Sequence, residues 1–142
     1  MAGVTSALVI PAPGINIVDL TLRIDDLRHP YDGDLQITLV APNGTTVLLV
    51  DRVGGSGNDF VGTHLNDALS LPLIKGGTAP FTGAFRPDNP LSTFRDIPSA
   101  DTWTLKISDR APRDEGALNG WSLQVCDRLP EGTGTTYEGR DH

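Results

Sequence analysis

The sequence has little of several features that would point to a particular class of protein. Its 142 residues include a single cysteine, Cys126, so no disulfide can form within the chain. Positive charge is scarce, because 11 lysines and arginines stand against 18 aspartates and glutamates, for a net charge of -7. Nucleic-acid-binding domains usually present a basic face, so this balance argues against nucleic acid as a partner.

Long apolar runs are also missing. No stretch approaches the roughly 18 to 20 apolar residues that cross a bilayer, so the sequence predicts no membrane span. The first residues, MAGVTSALVIPAPG, lack the basic start and the long apolar segment of a secretory signal. We therefore expect a soluble chain.

Glycine and proline are abundant instead. The chain has 16 glycines and 11 prolines with almost no helical periodicity, which is typical of short strands joined by many turns. Apolar residues alternate with polar ones, or run nearly unbroken at 46–50, as they do in strands of a buried core. These segments are residues 18–24, 35–39, 46–50, 103–107 and 121–125. The pattern predicts an all-β antiparallel sandwich with Trp103 and Trp121 in its core.

The middle and the end of the chain are less regular. Between residues 53 and 98, glycines and prolines interrupt the apolar groups, so we expect loops there. Residues 64–69 have the composition for one helical turn. Three phenylalanines in residues 80–94 either cover an edge of the sandwich or form an exposed docking patch. Residues 129–142 have little to bury, so the domain is expected to span residues 1–128 and to end in a disordered tail.

Five fragments, taken in order, resemble one family. They are residues 29–35 (HPYDGDL), 41–45 (APNGT), 80–94 with PFTGAFRP and PLSTF, 102–105 (TWTL), and Asp109 followed by Asp114, Gly116, Leu118 and WSL at 121–123. The series resembles the P domain, also called Homo B. This is the β-jelly-roll module that follows the catalytic domain in kexin- and furin-like subtilases and in many bacterial secreted proteases. The resemblance covers about residues 15–125.

The resemblance implies a function as well as a fold. A P domain is a jelly-roll sandwich, here of about eight strands, that is not itself catalytic. It stabilises or regulates an adjoining subtilisin-like serine protease, and bacterial members often bind calcium. The expected partner is therefore the catalytic domain of a secreted or cell-surface parent protein. The alternative is an independent extracellular adhesion module that binds a protein or a glycan.

Calcium is expected in the acidic loops. The ion takes roughly six to eight oxygen ligands, which loops at strand ends readily present. The EF-hand pattern is absent, so the ligands must come from separate segments. Residues 25–34 and 109–115 are rich in carboxylates, and they contain the leading candidates Asp34, Asp109 and Asp114. The resemblance adds Asp67, at an acidic position of the family's variable loop; each of the four has an alternative role in turn or strand-end hydrogen bonding.

Motifs of hydrolases and of zinc sites do not occur in the sequence. There is no GxSxG segment that would place a nucleophilic serine on a sharp turn. The histidines at 29, 64 and 142 are far apart and show no HExxH spacing, and no CxxC pair is present. The sequence therefore predicts no catalytic residues.

Overall fold

The computed structural model describes residues 4–28, 35–53, 57, 59–68, 70–78, 80–109, 117–127 and 135–138. Within these residues, nine strands and two 3₁₀ turns follow one another. The strands are β1 (Val4–Ile10), β2 (Asp19–Arg28), β3 (Leu35–Val40), β4 (Thr46–Asp51), β5 (Phe60–Leu65), β6 (Gly83–Phe85), β7 (Asp101–Asp109), β8 (Ala117–Cys126) and β9 (Thr135–Glu138). The 3₁₀ turns are Ile74–Gly76 and Leu91–Phe94.

The strands form two sheets. One has the order β1-β7-β3-β4, and the other has the order β6-β5-β2-β8-β9. The pairs are antiparallel except for β5 and β6, which run parallel. Apolar residues of both sheets join in one buried cluster, as in a β-sandwich. The predicted all-β sandwich is therefore confirmed, and its jelly-roll connectivity stays a prediction.

Two tryptophans hold the centre of the sandwich. Trp103 and Trp121 are 0% and 1% exposed, as the alternation of β7 and β8 predicts. Each indole N–H is satisfied inside the core: Trp103 donates to the carbonyl of Ser99 at 2.8 Å and Trp121 to the hydroxyl of Ser6 at 2.9 Å. The second bond joins β8 to β1, so it ties the two sheets together.

The structure bears on three segments whose form the sequence left open or predicted otherwise. The helical turn for which residues 64–69 have the composition does not include His64 and Leu65, because β5 continues through Leu65. Of the two roles left open for the phenylalanines of 80–94, an exposed patch does not fit Phe81 and Phe94, which are fully buried, the first stacked on Phe60 with ring centroids 4.9 Å apart. The segment expected to be a disordered tail contains β9, which pairs with the edge of β8. In each case tertiary packing decided what local composition left open.

Candidate functional site

Four strand ends meet at one end of the sandwich. In the five-stranded sheet, Arg28 at the end of β2 pairs with Ala117 at the start of β8. In the other sheet, Leu35 at the start of β3 pairs with Asp109 at the end of β7. The two carboxylate-rich segments singled out by the sequence therefore connect strands at this same end, which we call the acidic end.

The described charges of the acidic end are partly paired with one another. Arg28 Nε lies 2.6 Å from Asp26 Oδ1, and Arg28 Nη1 lies 3.4 Å from Asp59 Oδ2. The amide of Asn119 donates to the other oxygen of Asp26 at 3.1 Å. Exposed pairs of this kind contribute little to stability, about 0 to 1 kcal/mol each. Asp26 thus acts as a local acceptor that joins β2 to β8.

The four predicted calcium ligands are not all at this end. Asp34 and Asp114 lie outside the described residues. Asp109 is the last residue of β7, and only its backbone is described. Asp67 lies beside Asp19 and Leu20, at the start of β2, so the length of that strand, roughly 30 Å, separates it from the acidic end.

Asp67 has a clear structural role where it lies. Its Oδ1 accepts the backbone N–H of Leu91 at 2.8 Å, and its Oδ2 accepts that of Ser92 at 2.6 Å. These are the first N–H groups of the second 3₁₀ turn, which have no partner within the turn itself. Pro90, directly before the turn, makes no side-chain cap. A carboxylate from a distant loop therefore caps this turn.

Metal-binding groups do not converge in the part of the chain that the structure describes. Among those residues, no three histidine, cysteine, aspartate or glutamate side chains are placed to hold one ion. The side chains of Asp34, Asp109 and Asp114 are outside that search. A calcium site at the acidic end stays a prediction.

A polar groove lies on the outer face of the five-stranded sheet. It is lined in part by Thr21, Arg23, His64 and Asn66 and has a volume of about 370 Å³. Asn66 is buried and structural, since its amide lies 2.9 Å from the Thr21 hydroxyl and its carbonyl accepts the N–H of Ala68 at 2.9 Å. Arg23 donates to Gln124 at 3.2 Å.

The surroundings of His64 in this groove favour its neutral form. Burial lowers the pKa of His64 below its ordinary value of 6.5, and the charge of Arg23 lowers it further. Asp25 opposes both effects by raising the pKa of His64. Because loss of hydration is the larger cause, the ring resists protonation in the folded protein.

A second groove lies near Asp67 and was not anticipated from the sequence. It has a volume of about 480 Å³, and Leu73, Arg86, Asp88 and Arg95 contribute to its walls. The two arginines are nine positions apart and belong to no recognisable motif. The sequence offers only a weak hint of this groove: the prolines at 87 and 90 predict a turn there and not a strand. Only the folded chain places the arginines on one groove.

The chain is similar to a known protein family. The sequence model of one family, described as "Proprotein convertase P-domain", matches residues 17–125. In the fold this range begins just before β2 and ends within β8, so it contains most of both sheets.

Among the described residues no helix is long and apolar enough to cross a bilayer.

Curated relatives are much longer proteins. The chain is 30% identical over 100 residues to "Leupeptin-inactivating enzyme 1" of Streptomyces exfoliatus, which covers 70% of this chain and 17% of that protein. It is 31% identical over 117 residues to "Calcium-dependent protease" of a Nostoc species, which covers 80% of this chain and 15% of that protein. A crystal structure of the serine protease of Aeromonas sobria aligns with 96% of this chain and 20% of its own, at 20% identity and a TM-score of 0.44.

Proposed function

Because this chain belongs to the proprotein convertase P-domain family, we propose that it is a non-catalytic accessory domain. Its role is to stabilise or regulate an adjoining, secreted subtilisin-like serine protease. The observation that carries the proposal is the family match over residues 17–125, which spans the sandwich from β2 to β8. The chain covers only 17% and 15% of two relatives whose names describe an enzyme and a protease, which fits one module of a longer protein.

The accessory role is tested on the parent protease. The protein is prepared with and without residues 4–138, which contain all nine strands, and residual cleavage of a peptide substrate is measured after heating. We expect the version without the domain to lose activity at a lower temperature, because contacts made only with the folded catalytic domain stabilise that folded state. The 142-residue chain alone should not cleave the substrate.

Two results would contradict this role. Equal heat resistance and equal activity of the two versions would remove the accessory function. Saturable binding of a glycan or a surface protein by the isolated chain, together with that equality, would favour the adhesion module instead.

The proposal includes calcium bound at the acidic end through the carboxylates of Asp34, Asp109 and Asp114. Support comes from the strand register: Leu35 pairs with Asp109, and Asp34 is bonded covalently to Leu35. The name of one relative, "Calcium-dependent protease", points the same way. Carboxylate oxygens from two neighbouring loops are the ligands that calcium prefers. Asp67 is a separate prediction, because it lies at the other end of the sandwich.

Calcium binding is tested by thermal unfolding of the chain in excess EDTA and then in millimolar calcium. An ion that binds only the folded state adds about 2.7 kcal/mol of stability at a hundred times its dissociation constant. We expect a higher midpoint in calcium, and we expect Asp109→Asn and Asp34→Asn each to reduce the shift. Asp96→Asn is the matched control, since Asp96 is exposed and its backbone bonds to Ile17 at the opposite end.

Equal midpoints in EDTA and calcium would remove the metal site from the proposal. A shift that Asp96→Asn reduces as much as Asp109→Asn does would place the ion elsewhere. Neither result would touch the accessory role, which the protease experiment tests separately.

A further inference from the structure

The groove near Asp67 is built around two arginines, and we call it the arginine groove. It is defined by Arg86 and Arg95, with Leu73, Asp67 and Asp88 around them, and has a volume of about 480 Å³. It lies near the start of β2, because the Nε of Arg95 donates to the carbonyl of Val18 at 3.2 Å. Pockets of a few hundred Å³ are typical of ligand sites.

Backbone contacts hold both arginine side chains in place. Arg86 donates from Nε to the carbonyl of Leu71 at 2.8 Å, and its own backbone N–H donates to Pro72 at 2.7 Å. Arg95 directly follows the second 3₁₀ turn, and its backbone N–H donates to the carbonyl of Ser92 at 2.9 Å. In each guanidinium, the Nε bond fixes the plane of the group and leaves the terminal Nη groups for another acceptor.

No described residue accepts from those terminal groups. The ion pairs within the described part of the chain involve Arg28 and Arg52, both at the acidic end, and leave out Arg86 and Arg95. Two cations thus face one groove without a bonded counter-charge from the described residues.

The carboxylates of the groove, Asp67 and Asp88, make no described hydrogen bond or ion pair with the arginines. Both oxygens of Asp67 already accept backbone N–H groups, from Leu91 and Ser92. Asp88 is exposed, and the described ion pairs do not include it. The terminal N–H groups of the two arginines are therefore available to an incoming acceptor.

We propose that the arginine groove binds an acidic side chain carried by an extended segment of a partner protein. A guanidinium matches a carboxylate in a bidentate, charge-assisted pair, which is stronger than a bond between neutral groups. Leu73, at 40% one of the two most exposed large apolar residues described, offers an apolar contact beside the charges. That combination of two cationic forks with an apolar wall fits an acidic peptide better than a free inorganic anion. The inference does not depend on the calcium site.

The test is a titration of the isotope-labelled chain followed by NMR. The probe is a blocked tetrapeptide with two adjacent glutamates, compared with the same peptide carrying glutamines. We expect saturable binding of the glutamate peptide, with shifts at Arg86, Arg95 and Leu73, and at least about tenfold weaker binding of the glutamine peptide. Added salt should weaken the binding, since the contact is electrostatic.

Variants locate the binding. Arg95→Gln should weaken the glutamate peptide about tenfold, and because Arg95 is exposed this variant should fold. Arg52→Gln is the matched control: it removes the same charge at the acidic end, where Arg52 contacts Asp51 at 3.4 Å. Arg86→Lys keeps the positive charge but loses the paired N–H donors of the guanidinium. Its thermal midpoint shows whether the chain around Leu71, which Arg86 bonds, stays folded.

Three results would overturn the inference. The first is no saturable binding of the glutamate peptide up to millimolar concentration, and the second is equal binding of both peptides. The third is an equal effect of Arg95→Gln and Arg52→Gln. Inorganic phosphate is titrated separately; if it binds at Arg86 and Arg95 while the peptide does not, the groove is an anion site and not a peptide site.

Discussion

At the scale of single residues, two glycines adopt the same left-handed backbone in different surroundings. Gly14 has a φ of +66° and Gly44 a φ of +92°. A Cβ at position 14 would lie 2.7 Å from the backbone nitrogen of Ala100 and 2.7 Å from the Ser99 hydroxyl. A Cβ at position 44 would have no atom within 4 Å. Gly14 is thus required for close packing as well as for backbone conformation.

Replacing each glycine by alanine separates these two requirements. Gly44→Ala should cost about 1 kcal/mol of unfolding free energy, since only backbone strain is added. Gly14→Ala should cost about 1 to 3 kcal/mol more, because the new methyl group meets backbone that cannot move aside cheaply. Urea unfolding of both variants measures the difference. Equal losses would show that the contact with residues 99 and 100 is unimportant.

His64 makes stability depend on pH in a definite direction. The pKa of His64 is lower in the folded protein than the ordinary 6.5 of the unfolded chain, chiefly through burial and then through the charge of Arg23. Well above pH 6.5 the ring is neutral in both states. As the pH falls below that value, the unfolded chain takes up a proton that the folded chain resists, so stability is lost.

The replacement His64→Gln should remove this part of the acid sensitivity. We expect the fall in urea midpoint between about pH 7.5 and about pH 5 to be smaller in the variant, although carboxylates still contribute to the slope in both proteins. The comparison between variant and parent cancels those carboxylates. Identical slopes would show that the environment of the ring, including Arg23 and Asp25, leaves its titration unchanged on folding.

At the scale of elements, the second 3₁₀ turn depends on a residue far away in sequence. Asp67 accepts the N–H groups of Leu91 and Ser92, 24 and 25 positions later in the chain. The turn carries Leu91 and Phe94 into the core, and the Phe94 ring packs edge-on against Trp103 with centroids 5.3 Å apart. The cap therefore connects an irregular loop to the centre of the sandwich.

Asp67→Ala should destabilise the chain by about 1 to 3 kcal/mol, because it leaves two N–H groups without their charged acceptor. Asp67→Asn, which keeps one acceptor oxygen, should cost less. Asp88→Ala removes a carboxylate from the same groove without removing a described hydrogen bond, and it should stay within about 0.5 kcal/mol of the parent. A calcium-dependent midpoint that Asp67→Ala abolishes would instead make Asp67 a metal ligand.

At the scale of the whole molecule, the two ends of the sandwich differ in chemistry. The acidic end joins strands through carboxylate-rich loops, whereas the other end carries the capped turn and the arginine groove. Strand β2 runs between them and pairs with both β5 and β8. The ends are separated by roughly 30 Å of packed sheet and share no described hydrogen-bond network.

The two ends should therefore act independently on stability. We expect the losses from Asp67→Ala and Asp109→Ala, measured in calcium, to add within about 0.5 kcal/mol in the double variant. Urea unfolding of both single variants and the double variant provides the cycle. A coupling energy well above that limit would mean that the sandwich transmits a change from one end to the other.

The sequence by itself determined the framework of this protein. Alternation with a period of two is a local property, so it predicted the strands β2, β3, β4, β7 and β8 and placed Trp103 and Trp121 in the core. The five ordered fragments indicated a family, which the match over residues 17–125 confirms. Calcium binding and its ligands stay predictions. The loops that would hold the ion have no periodic sequence pattern, so the sequence does not predict where their carboxylates lie.

Tertiary structure alone decided which distant residues meet. Sequence patterns do not report distances between segments, so nothing in them showed that Asp67 caps the turn at Leu91 or that Phe81 is buried against Phe60. The same holds for Arg86 and Arg95, which only the packing of the 70–95 region brings to one groove. Strand pairing fixed which loops share an end, because antiparallel register sets the position of each strand end relative to its neighbours.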